Sequence, residues 1–131
     1  MRTDARHTLG RSGEELAADH LRGLGFAVLA RNVRTARGEI DMIARRGPLL
    51  VFAEVKTRRI GAAQRRPRED QLPLGGLGVR QRVRLRRLAA AWLAENRPAP
   101  PPPRTVRFDA IGVVLDTRGR VRAVEHIEGA W

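Results

Sequence analysis

The stretch Gly38-Glu39-Ile40-Asp41-Met42-Ile43-Ala44-Arg45-Arg46-Gly47-Pro48-Leu49-Leu50-Val51-Phe52-Ala53-Glu54-Val55-Lys56-Thr57 reads as two strands joined by a turn. Gly47-Pro48 is turn chemistry and apolar residues crowd both sides of it, so residues 39–45 and 49–57 are predicted to form an antiparallel hairpin. Successive side chains of a strand point to opposite faces. That period puts Glu39 and Asp41 on one face, with Ile40 and Met42 on the other. On the second strand Glu54 and Lys56 share a face with Leu50 and Phe52. A turn centred on Gly47-Pro48 brings Asp41 opposite Glu54, with a lysine two residues along. Two carboxylates facing each other across a strand pair are destabilising unless positive charge lies between them. Mg2+ or Mn2+ fits, because oxygen ligands suit hard divalent ions.

An ordinary solvated face carrying a Glu–Lys pair is the competing reading, and three features count against it. Leu50 and Phe52 lie on the same face as the charges. The run Leu49 to Ala53 is apolar throughout, without the polar alternation of a half-solvated strand. The third is the lysine itself: of 26 basic residues 25 are arginine, and Lys56 is the exception. Arginine replaces lysine as a solvated charge, but it cannot be deprotonated and is a planar fork rather than a compact ammonium.

Working outward, Ser12 followed by Glu15 forms a capping box that opens a helix carrying Leu16, Ala17, Leu21 and Leu24, with Gly25 placed to end it. Glu15, Asp19 and Arg22 mark its outer face. Glu14 precedes Ala17, Ala18 and Leu21 at helical spacing, so it projects along the apolar face, where an acid is costly without a cation or polar pocket. Two readings stand: a further ligand, direct or through water, or a partly exposed carboxylate favoured by the helix dipole. Residues 26–33 make a strand before the hairpin. Residues 1–11 read as a loose polar tail and residues 59–78, rich in Arg, Pro and Gly, as a mobile basic loop. A second helix over residues 79–96 has Leu85, Leu88, Ala89 and Trp92 on one face and Arg80, Arg84 and Arg87 on another. The proline run in residues 97–104 is a polyproline-like connector into strands at 105–115 and 121–127, joined by a turn at Asp116–Gly119. The order α-β-β-β-α-β-β gives a single α/β domain over residues 1–131 with a central mixed sheet.

The composition sets bounds on function. A net charge of +12 and a pI near 11.8 point to a polyanionic partner, nucleic acid first, with a ribosome or an anionic membrane surface behind it. A GC-rich coding genome swaps Lys for Arg but does not create net charge. The absence of cysteine excludes disulfides, thiolate zinc sites and cysteine nucleophiles, and three scattered histidines argue against a His-rich metal site. No apolar run is long enough to span a membrane, and the first residues lack a signal-peptide core, so a cytoplasmic location is expected. Aromatic residues are 4%, and Phe26, Phe52 and Trp92 fit the core. That disfavours stacked single strands, so duplex or branched DNA fits better than single-stranded nucleic acid; as the partner, DNA is expected ahead of RNA.

Asp41 followed by Glu54-Val55-Lys56 resembles the PD-(D/E)XK nuclease signature, with Glu14 placed as in archaeal-type Holliday-junction resolvases. More closely, the chain resembles the YraN-like family of bacterial proteins. The matching stretches are Gly13-Glu14 with Ala17, Leu21 and Gly25; Asn32; Gly38 to Asp41; Phe52 to Arg58; Arg107-Phe108-Asp109; and His126-Ile127. The resemblance implies a restriction-endonuclease-like core flanked by helices. It also implies a Mg2+- or Mn2+-dependent endonuclease in DNA repair or recombination. There, Asp41, Glu54 and Lys56 are catalytic and Asp41, Glu54, Glu14, Glu39 and the carbonyl of Val55 hold the metal. Lys56 orients the attacking water or helps remove its proton. Arg58, Arg59, Arg80, Arg84 and Arg87 grip the phosphate backbone. Gln81 stands where the family tends to have lysine, which weakens any phosphate-holding role for that position. A resolvase needs two sites acting together, so a homodimer is expected. The alternative is a non-catalytic nucleic-acid-binding module that keeps the nuclease-like fold within a repair or RNA-processing assembly.

Overall fold

The structure is a computed structural model that describes residues 12–61 and 79–130. The expected N-terminal tail and most of the expected basic loop lie outside the described residues, as do the side chains of residues 79–81. Helix α1 (Gly13–Gly23) starts where Ser12, extended at φ −63° and ψ 152°, accepts the Glu15 N–H on its hydroxyl at 3.1 Å. One orphan amide of the first turn is thereby satisfied. The helix ends just before Gly25, whose φ of 91° suits glycine. Leu24 falls outside the helix and is 40% exposed, so it does not belong to the apolar face.

The remaining elements are β1 (Ala27–Thr35), β2 (Gly38–Arg46), β3 (Leu49–Arg59), α2 (Val79–Glu95), β4 (Thr105–Leu115) and β5 (Val121–Ile127). They form one five-stranded sheet in chain order, β1-β2-β3-β4-β5. The β3–β4 pair is parallel from Leu49↔Thr105 to Arg59↔Leu115, and the other three are antiparallel. This is the α/β, restriction-endonuclease-like core with a mixed sheet between helices. Central β3 is buried on both faces, as its continuous apolar run requires. Val51, Ala53 and Val55 pack with Ala17, Ala18 and Leu21 of α1. Leu50 and Phe52 pack with Leu85, Leu88 and Ala89 of α2. Trp92 sets its ring edge-to-face on Phe52 at 5.8 Å.

Four expectations are corrected. Ile40 and Met42 do not share a face: Ile40 packs in the α2-side cluster and Met42 in the α1-side cluster. On the paired strand Ala30 and Val33 likewise both pack toward α2, three residues apart. Between them Asn32, in register with Asp41, adopts the left-handed conformation at φ 51°. Both strands therefore change faces in step at the Asn32/Asp41 position. Second, β3 runs through Arg59, and buried Ile60 donates its N–H to Leu115 O at 2.8 Å, so the basic loop starts later than residue 59. Third, the proline connector is not a straight spacer. It holds a cis Pro100–Pro101 bond, and Arg45 donates to the carbonyls of Ala99, at 2.6 Å, and Pro101. Arg104 and Thr105 donate to Pro48 O at 2.8 and 3.1 Å. Proline lacks N–H, so its segment offers carbonyls that need donors from elsewhere. The fourth is the exposure of Leu24 noted above.

Candidate metal and phosphodiester site

The β2–β3 ladder ends at Met42↔Ala53. One residue further, Asp41 and Glu54 stand opposite in register but the strands have parted, and β3 continues with β4 as its partner. Asp41 fills the fork, and its Oδ2 accepts the Val55 N–H at 2.9 Å. The amide of Val55 is thus committed to Asp41, while its side chain packs in the α1-side core.

The first turn of α1 reaches the same place. A β-carbon on Gly13 would overlap the Thr57 hydroxyl, so only glycine lets this turn lie directly on the end of β3. That contact delivers Glu14. Carboxylate oxygens of Glu14, Glu39 and Asp41, from α1 and β2, all lie within 4.8 Å of one another. Glu14 and Asp41 are half-buried and Glu39 is exposed. Burial pushes the Asp41 carboxyl above the ordinary carboxylate range. The Val55 N–H opposes this, and the charges of Glu54, Glu14 and Glu39 add to it. An all-oxygen donor set whose charges repel one another has the chemistry of a hard divalent-cation site. Glu14 therefore faces Glu39 and Asp41 rather than standing alone at the helix end.

Glu54 is handled differently. It is 6% exposed, and Lys56 Nζ lies 3.1 Å from its Oε1. The positive charge that opposed carboxylates require is supplied here from Glu54's own strand. Lys56 remains 39% exposed at its side chain, so its ammonium reaches both the buried acid and the surface.

The expected arginine grip is dispersed. Arg58 and Arg59 are exposed at the end of β3, with Arg59 donating to Asp116 O at 3.4 Å. Arg84 and Arg87 are exposed on α2, the helix on the other side of the sheet from α1. The side chains of Arg80 and Gln81 lie outside the described residues. Sequence reasoning passed over Arg31 and Arg34. Both are exposed on β1 and stand opposite Met42 and Glu39. Cross-strand partners share a face, so these arginines flank the acidic group on the side of α1. The pattern Arg31-x-x-Arg34 before a Gly-Glu-x-Asp strand was the available signal.

A second constellation was also missed as a site. Arg107 Nε and Nη2 donate to Asp109 Oδ1 and Oδ2 at 2.8 and 2.9 Å, and His126 Nε2 lies 2.8 Å from Oδ2. His126 Nδ1 in turn lies 3.0 Å from His20 Nε2. An aspartate in the otherwise apolar run of β4 requires such partners. That requirement was the readable signal. Asp116 is buried too, but it accepts the Arg118 and Arg120 amides at 2.8 and 3.0 Å and an ion pair from Arg122, which makes it a turn cap.

Among the described residues no helix is long and apolar enough to cross a membrane. Residues 13–113 match the uncharacterised protein family UPF0102. A UPF0102 protein of Parafrankia sp. is 47% identical over 131 residues, covering all of both chains. One from Streptomyces griseus is 45% identical over 126 residues, 96% of this chain and 98% of the relative. One from Streptomyces coelicolor is 46% identical over 127 residues, 96% and 90% of the two chains. On a match over most of its length and on relatives this similar, the chain belongs to the UPF0102 family, the YraN-like group.

Proposed function

We propose that the protein is a divalent-cation-dependent endonuclease that hydrolyses phosphodiesters in duplex or branched DNA. The observation that carries this reading is the convergence of Glu14, Glu39 and Asp41 within 4.8 Å, with Asp41 pushed up by burial and by its acidic neighbours; the chain's single lysine lies on the adjoining strand, paired with Glu54. Asp41, Glu14 and Glu39 would hold Mg2+ or Mn2+, with Glu54 and the Val55 carbonyl on the adjoining strand. When bound, the ion polarises the phosphoryl oxygen and lowers the pKa of a bound water.

The chain's own residues supply the rest. Lys56 is held by Glu54 with its ammonium at the surface, where it can orient a water toward phosphorus and stabilise charge on the phosphoryl oxygens. Arginine offers no comparable proton transfer. Arg31 and Arg34 would carry the strand past the acids, Arg58 and Arg59 would meet it beyond Lys56, and Arg80, Arg84 and Arg87 would contact a second segment of a branched substrate across the sheet. Phosphate contacts of this kind position a backbone without reading its sequence.

The non-catalytic module has one observation in its favour. Glu54 is neutralised by Lys56, whereas the close group consists of Glu14, Glu39 and Asp41. A cleavage panel decides between the two readings. Linear duplex, four-way junction, flap, single-stranded DNA and RNA are incubated with the protein in Mg2+ or Mn2+, with Asp41→Asn as the control for contaminating nucleases. Structure-selective cutting lost in the variant is the expected result. Salt-sensitive binding to the same panel without cutting makes the protein a binding module.

A further inference from the structure

The buried acid of β4 anchors a chain of contacts that the proposed hydrolysis does not use. Asp109 is fully buried and takes donors from Arg107 on both oxygens and from the Gly129 amide on Oδ1 at 3.1 Å. Burial alone would push its carboxyl up. The Arg107, His126 and Gly129 donors outweigh this and hold it below the ordinary carboxylate range, so it is ionised. His126 Nε2, 2.8 Å from that carboxylate, therefore carries a hydrogen. The other ring nitrogen, Nδ1, faces His20 Nε2 at 3.0 Å, with the two rings crossing edge-on at 73°.

One hydrogen has to lie between those two nitrogens. With both rings neutral, His20 donates and His126 accepts. With one added proton, a charged ring donates to a neutral one. A second added proton sets N–H against N–H and two positive charges side by side, and the bond is lost. Burial and the neighbouring His126 push His20 below its ordinary value, which resists that second proton.

Among the described residues, the other charges around the pair have partners of their own. On α1, Asp19 and Arg22 pair with each other at 3.3 Å on the exposed side. From β2, Arg46 lies over the Phe26 ring and donates to Leu24 O. β3 presents the apolar Val51, Ala53 and Val55. β4 contributes Arg107 and Asp109, and beyond β5 Glu128 lies 3.6 Å from Arg107. Glu125 precedes His126 and alternates to the other face of β5.

Helix α1 has 11 residues. Gly13 seats one end on Thr57 and His20 ties the other end to β5. Glu14 and His20 are six positions apart, about 9 Å along the helix. We propose that His20 and His126, backed by Asp109 and Arg107, are positioning residues for Glu14: they latch the far end of α1 to β5 through a bond that exists only while the two rings share at most one added proton. The role toward Glu14 rests on the metal-site reading above, whereas the latch on α1 does not.

The test is NMR on the full chain from about pH 8 to about pH 5, the span over which histidine titrates. It follows ring-nitrogen protonation and the exchange of the Ala17–Leu21 amides, corrected for intrinsic rates, with Mn2+ affinity measured in parallel. As the pair gains its second proton, protection of those amides is expected to fall about five-fold, the loss of one partly buried hydrogen bond. Mn2+ affinity should fall over the same interval. His20→Gln, whose amide can donate to His126 Nδ1 without titrating, should keep the protection, flatten its pH profile and leave in the Mn2+ profile only the slope due to the acids themselves. His20→Ala should lose protection at every pH. Protection that stays constant through the wild-type titration, or an unchanged pH slope in His20→Gln, overturns the latch. If no variant binds Mn2+, wild type included, while protection still follows His20, then the role toward Glu14 falls with the metal reading and the latch on α1 stands.

Discussion

Asp41 and Asp109 are carboxylates set into the same sheet two strands apart, and the fold treats them in opposite ways. Asp109 is fully buried, receives a bidentate arginine, a histidine and a backbone amide, and is held ionised. Asp41 is only half-buried, receives one backbone amide, and is surrounded by Glu54, Glu14 and Glu39, all of which push it up. A charge whose compensation is built from side chains holds the structure together. The acids gathered around Asp41 are the donor set proposed above for a divalent cation.

The largest effect should come from breaking the satisfied acid. Asp109→Asn leaves Arg107 and His126 without their anion, and unfolding free energy measured in urea should drop by roughly 3 kcal/mol, as when one partner of a buried ion pair is removed. The linkage sign agrees. Because the folded-state value of Asp109 is depressed, its contribution is present above the ordinary carboxylate range and is lost as pH falls through the lowered value. Wild-type stability should therefore fall in acid and that part of the slope should vanish in the variant.

On the unsatisfied side, Lys56→Arg should keep fold and DNA binding but reduce single-turnover cleavage about a hundred-fold, the scale of a lost positioned proton-transfer group. Full activity in that variant would remove the proposed role of the ammonium. Gly13→Ala should cost about 1–2 kcal/mol in thermal unfolding, as overpacking does, because its methyl group meets Thr57. It should weaken Mn2+ binding more than its stability loss predicts, since Glu14 moves with that turn.

Asp41→Asn sharpens the comparison by changing the opposite way from Asp109→Asn. The folded-state value of Asp41 is raised, so its ionised form detracts from stability as pH rises through that value. The amide can still accept the Val55 N–H without the charge. Without metal the variant should be more stable than wild type at neutral pH, and it should lack the rise in Tm expected for wild type on adding Mn2+. The smallest effect concerns the substrate. Arg31→Ala with Arg34→Ala should flatten the salt dependence of DNA binding by about two units of slope, one per phosphate contact. The pair Arg84→Ala with Arg87→Ala should change it less, being across the sheet from the acids.

Much of this arrangement was legible in the chain. Gly47-Pro48 fixes the hairpin register, and that register alone brings Asp41 to the level of Glu54. The Ser12/Glu15 spacing marks the start of α1, and the bounds of β4 and β5 follow from their apolar runs. What escaped has a common cause. The change of faces at Asp41 depends on Asn32 adopting a left-handed conformation, which a non-glycine residue does not announce. The partners of Asp109 come from β5 and α1, far away in the chain, and strand periodicity shows that an acid is buried without showing who meets it. The burial of Ile60 likewise depends on the carbonyl of Leu115, which sequence-local patterns do not reach.

The parallel union of β3 with β4 also has a temporal meaning. Glu14, Glu39, Asp41, Glu54 and Lys56 all precede residue 60, whereas the strand that covers the far edge of β3 begins at Thr105. As chains emerge N-terminus first, the acidic residues are made well before that cover. Until β4 arrives, the 11-residue β3 presents an open apolar edge, the kind that recruits other chains. Closing the intervening crossover adds only about 0.6 kcal/mol of entropy for each doubling of its length. Its length is thus nearly free to vary in thermodynamic terms. What it sets is how long each newly made molecule carries an unprotected strand.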